Sequence, residues 1–197
     1  MVSVTAYPKG PLGWLSVSPT TPPATSLFNS PQGQTRSTTA IVPIAANAFS
    51  IQASDATDVT VDILMYFQGA FPNFRLNPLT PCRAFDTRSG DGPMLTANQA
   101  RTISLIGRCG ITSPVVGYVV NATLVPVSPV TTFDLESIFT PAGGPVFFPT
   151  PSNDFPALAG QATAKMMLIQ STASQQVHMR ANADTHVIID VIGVITP

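Results

Sequence analysis

Residues 120–135, VNATLVPVSPVTTFDL, lie without a gap on residues 2–17, VSVTAYPKGPLGWLSV. Pro126 meets Pro8, Pro129 meets Pro11, and the alternating Val120, Ala122 and Leu124 meet Val2, Val4 and Ala6. An apolar side chain at every second position is the period of a strand with one face on a core. Further along, GQA at 160–162 meets GQT at 33–35 across one inserted loop, and THVIIDVIGVI (185–195) meets TDVTVDILMYF (57–67), so Asp190 falls on Asp62. Three collinear matches mark a tandem repeat. The expected fold is all-β, with two sandwich-like, jelly-roll-like units over residues 1–70 and 71–197.

The two copies are unequal. Ahead of the second lies a block, Phe74–Val116, that holds both cysteines and at least one strand, whereas the first copy opens at Met1 without it. The first unit is therefore expected to lack its N-terminal third and to present an unpaired sheet edge or an uncovered apolar face, which invites a strand from another chain. Elsewhere, 20 prolines and 13 glycines leave no stretch for a substantial helix. Ile103 and Leu105 continue the strand alternation. Val187, Ile189 and Val191 alternate with Ile188, Asp190 and Ile192, so the last strand is expected to be covered on both faces.

Composition bears on partners. Only 10% of residues are charged against 44% hydrophobic, far below the roughly 25% charged of an ordinary soluble domain. With a formal net charge of −1, little repulsion keeps copies apart, which favours self-association. The 9 basic residues are scattered and include only two lysines, Lys9 and Lys165, so there is no stripe to neutralise nucleic-acid phosphates. No apolar run approaches the roughly 20 residues of a membrane span. The opening MVSVTAYPKG lacks the regions of a signal peptide and reads as a processed chain or a fragment.

Cys82 and Cys109 are too far apart for a CxxC redox or zinc arrangement, which leaves a disulfide or two buried thiols. The extracellular look of the chain favours the disulfide. The segments PCRAFDTRSGDGP (81–93) and RTISLIGRCGI (101–111), with the GQT-type turn and the closing VDV-type strand, resemble a family of bacterial secreted and cell-surface repeat modules. The resemblance covers residues 74–197 and, in its second half, residues 1–67 again. It implies that Cys82 and Cys109 form the disulfide, that Arg83, Asp86, Thr87 and Arg88 are the polar signature, and that the module has no catalytic activity. The ending VIGVI departs from the aromatic pair that Tyr66 and Phe67 keep, and Phe139–Ala159 is longer than the family's loop.

Asp86 and Asp91 with backbone carbonyls could hold calcium, but the spacing is not that of an EF-hand loop; Asp86 is expected to cap a turn and pair with Arg83 or Arg88, holding a coil beside the disulfide. His178 and His186 lack further zinc ligands and read as water-facing strand or turn residues. Asp62 and Asp190 read as acceptors for a neighbouring loop's backbone. Asn121 opens a formal sequon, Asn121-Ala122-Thr123, on a polar strand face. Glu136 is the sole glutamate, and no GxSxG, HExxH or phosphate-binding glycine loop is present, so neither an enzyme nor a cofactor is expected. Phe139, Phe147, Phe148 and Phe155, around the inserted loop, are candidates for contact with another chain, and together with Trp14 and Phe133 they leave a surface-glycan platform as the alternative. The expected role is a secreted, non-catalytic subunit that self-assembles head to tail into a filament, sheath or surface layer; the alternative is a cell-surface adhesive or glycan-binding module.

Overall fold

The computed structural model describes residues 1–19, 26–64, 75–136, 154–171 and 175–196, and every regular element among them is a β-strand. Contacts divide the chain into two compact units, Met1–Tyr66 and Phe67–Pro197. The first holds β1 (Val2–Pro8), β2 (Leu12–Ser18), β3 (Phe28–Ser30), β4 (Arg36–Ala40), β5 (Ser50–Ala53) and β6 (Thr57–Ile63). They form two antiparallel sheets in the orders β4-β1-β6 and β3-β2-β5.

The second unit holds β7 (Arg75–Asp86), β8 (Arg101–Ser104), β9 (Gly117–Pro126), β10 (Val130–Glu136), β11 (Asp154–Ala157), β12 (Thr163–Gln170), β13 (Gln176–Ala181) and β14 (Thr185–Thr196). Its sheets run β12-β9-β14-β7 and β11-β10-β13-β8. Removing β7 and β8 leaves the two sheets of the first unit, strand for strand.

The register agrees as well. Val4 pairs with Thr38 and Val61, and its counterpart Ala122 pairs with Lys165 and Ile189. Leu15 pairs with Ala53 as Phe133 pairs with Ala181. Gly33 and Gly160, the glycines of the matched GQT and GQA turns, both take the left-handed conformation, at φ 68° and 70°. A repeat read from alternation is thus a repeat in hydrogen-bonded pairing. A one-residue slip would turn every core side chain outward, so shared register is what a duplication must keep.

The cores differ in size. The second unit buries Tyr118, Val120, Ala122 and Leu124 of β9, Phe133 and Leu135 of β10, and Val187, Ile189 and Val191 of β14, with Ala84, Phe85, Leu95 and Leu105 contributed by the 75–116 block. The first buries Val2, Val4, Ala6, Leu12 and Leu15, with Val17, Phe28, Val59 and Val61 only partly covered.

Two expectations need correction. Phe155 is not a surface residue: it is 1% exposed and packs edge-on against Phe133, with ring centroids 5.6 Å apart. Pro156 beside it sits in the short edge strand β11, where a missing N–H is tolerated. The second concerns β14, whose outer face is covered only in part, since Ile188 is buried but Asp190 and Ile192 are half-exposed. Phe139, Phe147 and Phe148 lie outside the described residues.

Candidate functional site

The polar signature sits where β7 ends against β14. The stretch 75–86 is a strand, although it contains Pro78 and Pro81, because among the described residues β7 is an edge strand that pairs with β14 alone. Cys82 on this strand is bonded to Cys109, with Cα atoms 5.7 Å apart. Cys109 lies in a turn of left-handed residues, between Gly107 (φ 82°) and Gly110 (φ 73°), itself at φ 54°. The disulfide ties the rim strand β7 to the segment that follows β8.

Around it runs a chain of ion pairs. Arg83 grips Asp190 through Nε–Oδ1 at 2.8 Å and Nη2–Oδ2 at 3.2 Å, and donates from Nη1 to Asp86 Oδ2 at 3.2 Å. Asp86 also accepts from Arg88, whose backbone N–H and Nε reach Oδ1 at 2.9 and 3.0 Å and whose Nη2 reaches Oδ2 at 2.9 Å. The Asp86 backbone N–H donates to Asp91 Oδ2 at 2.9 Å, and Arg108 Nη1 donates to Asp91 Oδ1 at 2.9 Å and to the Ala84 carbonyl. Thr87 extends the ladder, since its N–H donates to Val187 O and its Oγ1 accepts from Val187 N–H.

Three arginines thus meet three aspartates, and the sequence reading had Asp86 pairing with one arginine where it binds two. Asp190 does act as an acceptor, but for the Arg83 guanidinium rather than for loop backbone. Both carboxylates proposed for calcium are occupied by N–H donors, and no group of three or more metal-ligating side chains occurs among the described residues. The histidines are half-exposed, each beside a threonine hydroxyl: His178 with Thr102 and His186 with Thr87. The cluster can fix a strand end.

The hydrogen bonds from Arg88 hold the buried Asp86 carboxyl down to about 2 from its ordinary 3.8. A depressed folded-state pKa means stability that is complete above the ordinary value and lost as pH falls through the depressed one. The second unit is expected to lose stability between about pH 4 and pH 2. Acid titration of chemical unfolding should show this loss reduced in Asp86→Asn, which is destabilised at neutral pH instead.

On the outer face of the same sheet, Pro81, Arg83, Asn121, Met166, Asp190 and Ile192 line an open groove. It contains no aromatic ring on which a sugar could stack, and Phe133 and Phe155, two of the rings considered as a glycan platform, are in the core. No helix among the described residues is long and apolar enough to cross a membrane. No protein-family model, no curated protein and no solved structure matches the chain.

Proposed function

We propose that this chain is a non-catalytic extracellular structural protein, a subunit that joins further copies of itself head to tail into a filament, sheath or surface layer. The observation that carries this reading is the edge of the first unit: among the described residues, the strands that flank β13 and β14 in the second unit have no counterpart beside β5 and β6. The disulfide fits an oxidising compartment, and the charge-poor composition fits close association of copies. The resemblance to bacterial surface modules points the same way.

Light scattering and negative-stain microscopy of the purified chain test the reading. Concentration-dependent assemblies of regular repeat are expected. Deleting residues 1–67 should leave a soluble, folded second unit that stays monomeric. An intact chain that remains a monodisperse monomer at high concentration contradicts it.

A further inference from the structure

Strand β2 and its counterpart β10 depart from regular pairing at matching points. In the first unit the register against β3 shifts between Leu12 and Leu15, so Gly13 and Trp14 together stand across from Asn29. In the second, β10 shifts against β11 between Val130 and Thr132. Both units cap the amides freed there from the segment that follows the strand on the other side. Asn182 Oδ1 accepts from the N–H groups of Thr131 and Thr132 at 3.0 and 3.1 Å. In the first unit Asp55 Oδ2 accepts from the Gly13 N–H at 3.0 Å, and Ser54 Oγ accepts from the Trp14 N–H at 2.9 Å. The repeat lays Ser54 on Asn182, Asp55 on Ala183 and Trp14 on Thr132. Irregular pairing of this kind re-aims a side chain and is concentrated beside binding sites.

The cap itself needs neither a ring nor a carboxylate, since the second unit makes it with Thr132 and Asn182. The first unit adds both and makes room for them. A Cβ on Gly13 would lie 2.9 Å from Ser54 Oγ and 3.5 Å from Asp55 Oδ2, so a side chain there would push the 54–55 segment away. Ser54 Oγ donates to Asp55 Oδ2 at 2.5 Å, so the carboxylate is anchored through one oxygen. The Gly13 N–H, and after it the Ser54 hydroxyl, hold this exposed carboxyl below its ordinary pKa, which makes it an acceptor alone at neutral pH. Asp55 Oδ1, the Trp14 indole N–H and the Asn29 amide have no hydrogen-bond partner among the described residues. Trp14, the only tryptophan in the chain, is 36% exposed, although Leu12 and Leu15 of the same strand are fully buried.

We propose that Trp14 and Asp55 form a saccharide-binding subsite on the first unit, with a neutral sugar ring stacked on the indole and its hydroxyls bonded to Asp55 Oδ1 and the Asn29 amide. This goes beyond the assembly reading and does not rest on it. The indole offers a flat apolar face to the C–H groups of a sugar, and its N–H, the carboxylate and the amide supply donors and acceptors for hydroxyls. The residues that flank the ring from the neighbouring strands, Asn29, Ser54 and Asp55, are all polar. The core of a protein interface is instead apolar and depleted in charge, so a sugar suits this ring better than a protein partner does. A fixed anion beside the ring disfavours uronic and sialic acids, which leaves neutral hexoses and N-acetylhexosamines as the ligand class. Ser54 and the Gly13 amide hold the carboxylate in place before any ligand arrives, so little ordering remains to oppose binding.

The test is a titration of the full chain with chitotetraose, cellotetraose and mannotetraose, and with tetragalacturonate as the acidic control. Emission reports on the subsite directly, because Trp14 is the only tryptophan. At least one neutral oligosaccharide is expected to change it saturably, and the acidic one to leave it unchanged. Trp14→Thr and Asp55→Ala install the residues that the second unit carries at the matched positions. Calorimetry should show binding lost in the first and weakened about tenfold or more in the second, with the far-UV spectrum of the native chain kept in both. Should Trp14→Thr fail to fold, the exposed Asp55→Ala decides. No response to any neutral oligosaccharide at millimolar concentration overturns the subsite, and so does binding that survives either substitution at full strength. If the native chain binds none of them and Trp14→Thr abolishes assembly, the ring is a contact between copies and the saccharide reading is wrong. Sugar binding by a chain that stays monomeric upholds the subsite while the assembly reading fails.

Discussion

Leu15→Ala should unfold the first unit and leave the second folded. Leu15 is fully buried, pairs with Ala53 across the β2–β5 ladder, and belongs to a core whose other fully covered members are Val2, Val4, Ala6 and Leu12. Truncating a buried leucine costs about 2–5 kcal/mol, and a core of this size supplies only about 3–5 kcal/mol in all. The substitution therefore removes most of the unit's stability. Trp14, the only tryptophan in the chain, lies on the adjacent position of β2, so its fluorescence reports the first unit alone. In the variant Trp14 should read as unfolded in buffer, while the far-UV signal of the second unit persists to its native denaturation midpoint. A single joint transition of both signals would show that the two units do not fold independently.

Removing the disulfide should have the opposite address. Replacing Cys82 and Cys109 by serine frees a loop closed across 27 positions, which by loop-closure entropy costs about 3–4 kcal/mol. The loss falls on the second unit, and more heavily at the rim, because β7 and the segment after β8 are the parts the bond connects. Arg83, Asp86, Arg88 and Asp91 hold the same corner by charge-assisted hydrogen bonds, so the corner is weakened rather than abolished at neutral pH. The far-UV midpoint should fall by the corresponding amount with the Trp14 transition unmoved. Equal stability of the serine variant and the wild type would mean that the bond constrains nothing the unfolded chain would otherwise explore.

Much of this architecture is legible in the chain because strand alternation and turn glycines are local signals, and duplication prints them twice. Val120, Ala122 and Leu124 announce a core face on their own, and their match to Val2, Val4 and Ala6 fixes which strand of one unit answers to which strand of the other. What the sequence hides is pairing across distance. Arg83 and Asp190 are 107 positions apart and no local pattern links them. That the prolines at 78 and 81 lie in a strand is hidden too, because nothing along the chain tells an edge strand, which tolerates them, from a central one. Phe155 misleads for the same reason: beside a proline and next to a long insertion it reads as exposed, yet its ring completes the core against Phe133.

The central claim is that the first unit repeats the second with, among the described residues, β5 and β6 left as edge strands. Residue-resolved amide hydrogen exchange on dilute, monomeric protein tests it most directly, by comparing β6 with β14. Where a strand is paired on both sides, amides exchange only through large-scale opening; on an edge strand those that point outward exchange quickly. The account predicts alternating fast and slow amides along Thr57–Ile63, uniform slow exchange over the matching part of β14, and loss of the fast set on assembly. Uniform protection of β6 in the dilute monomer, equal to that of β14, would contradict it.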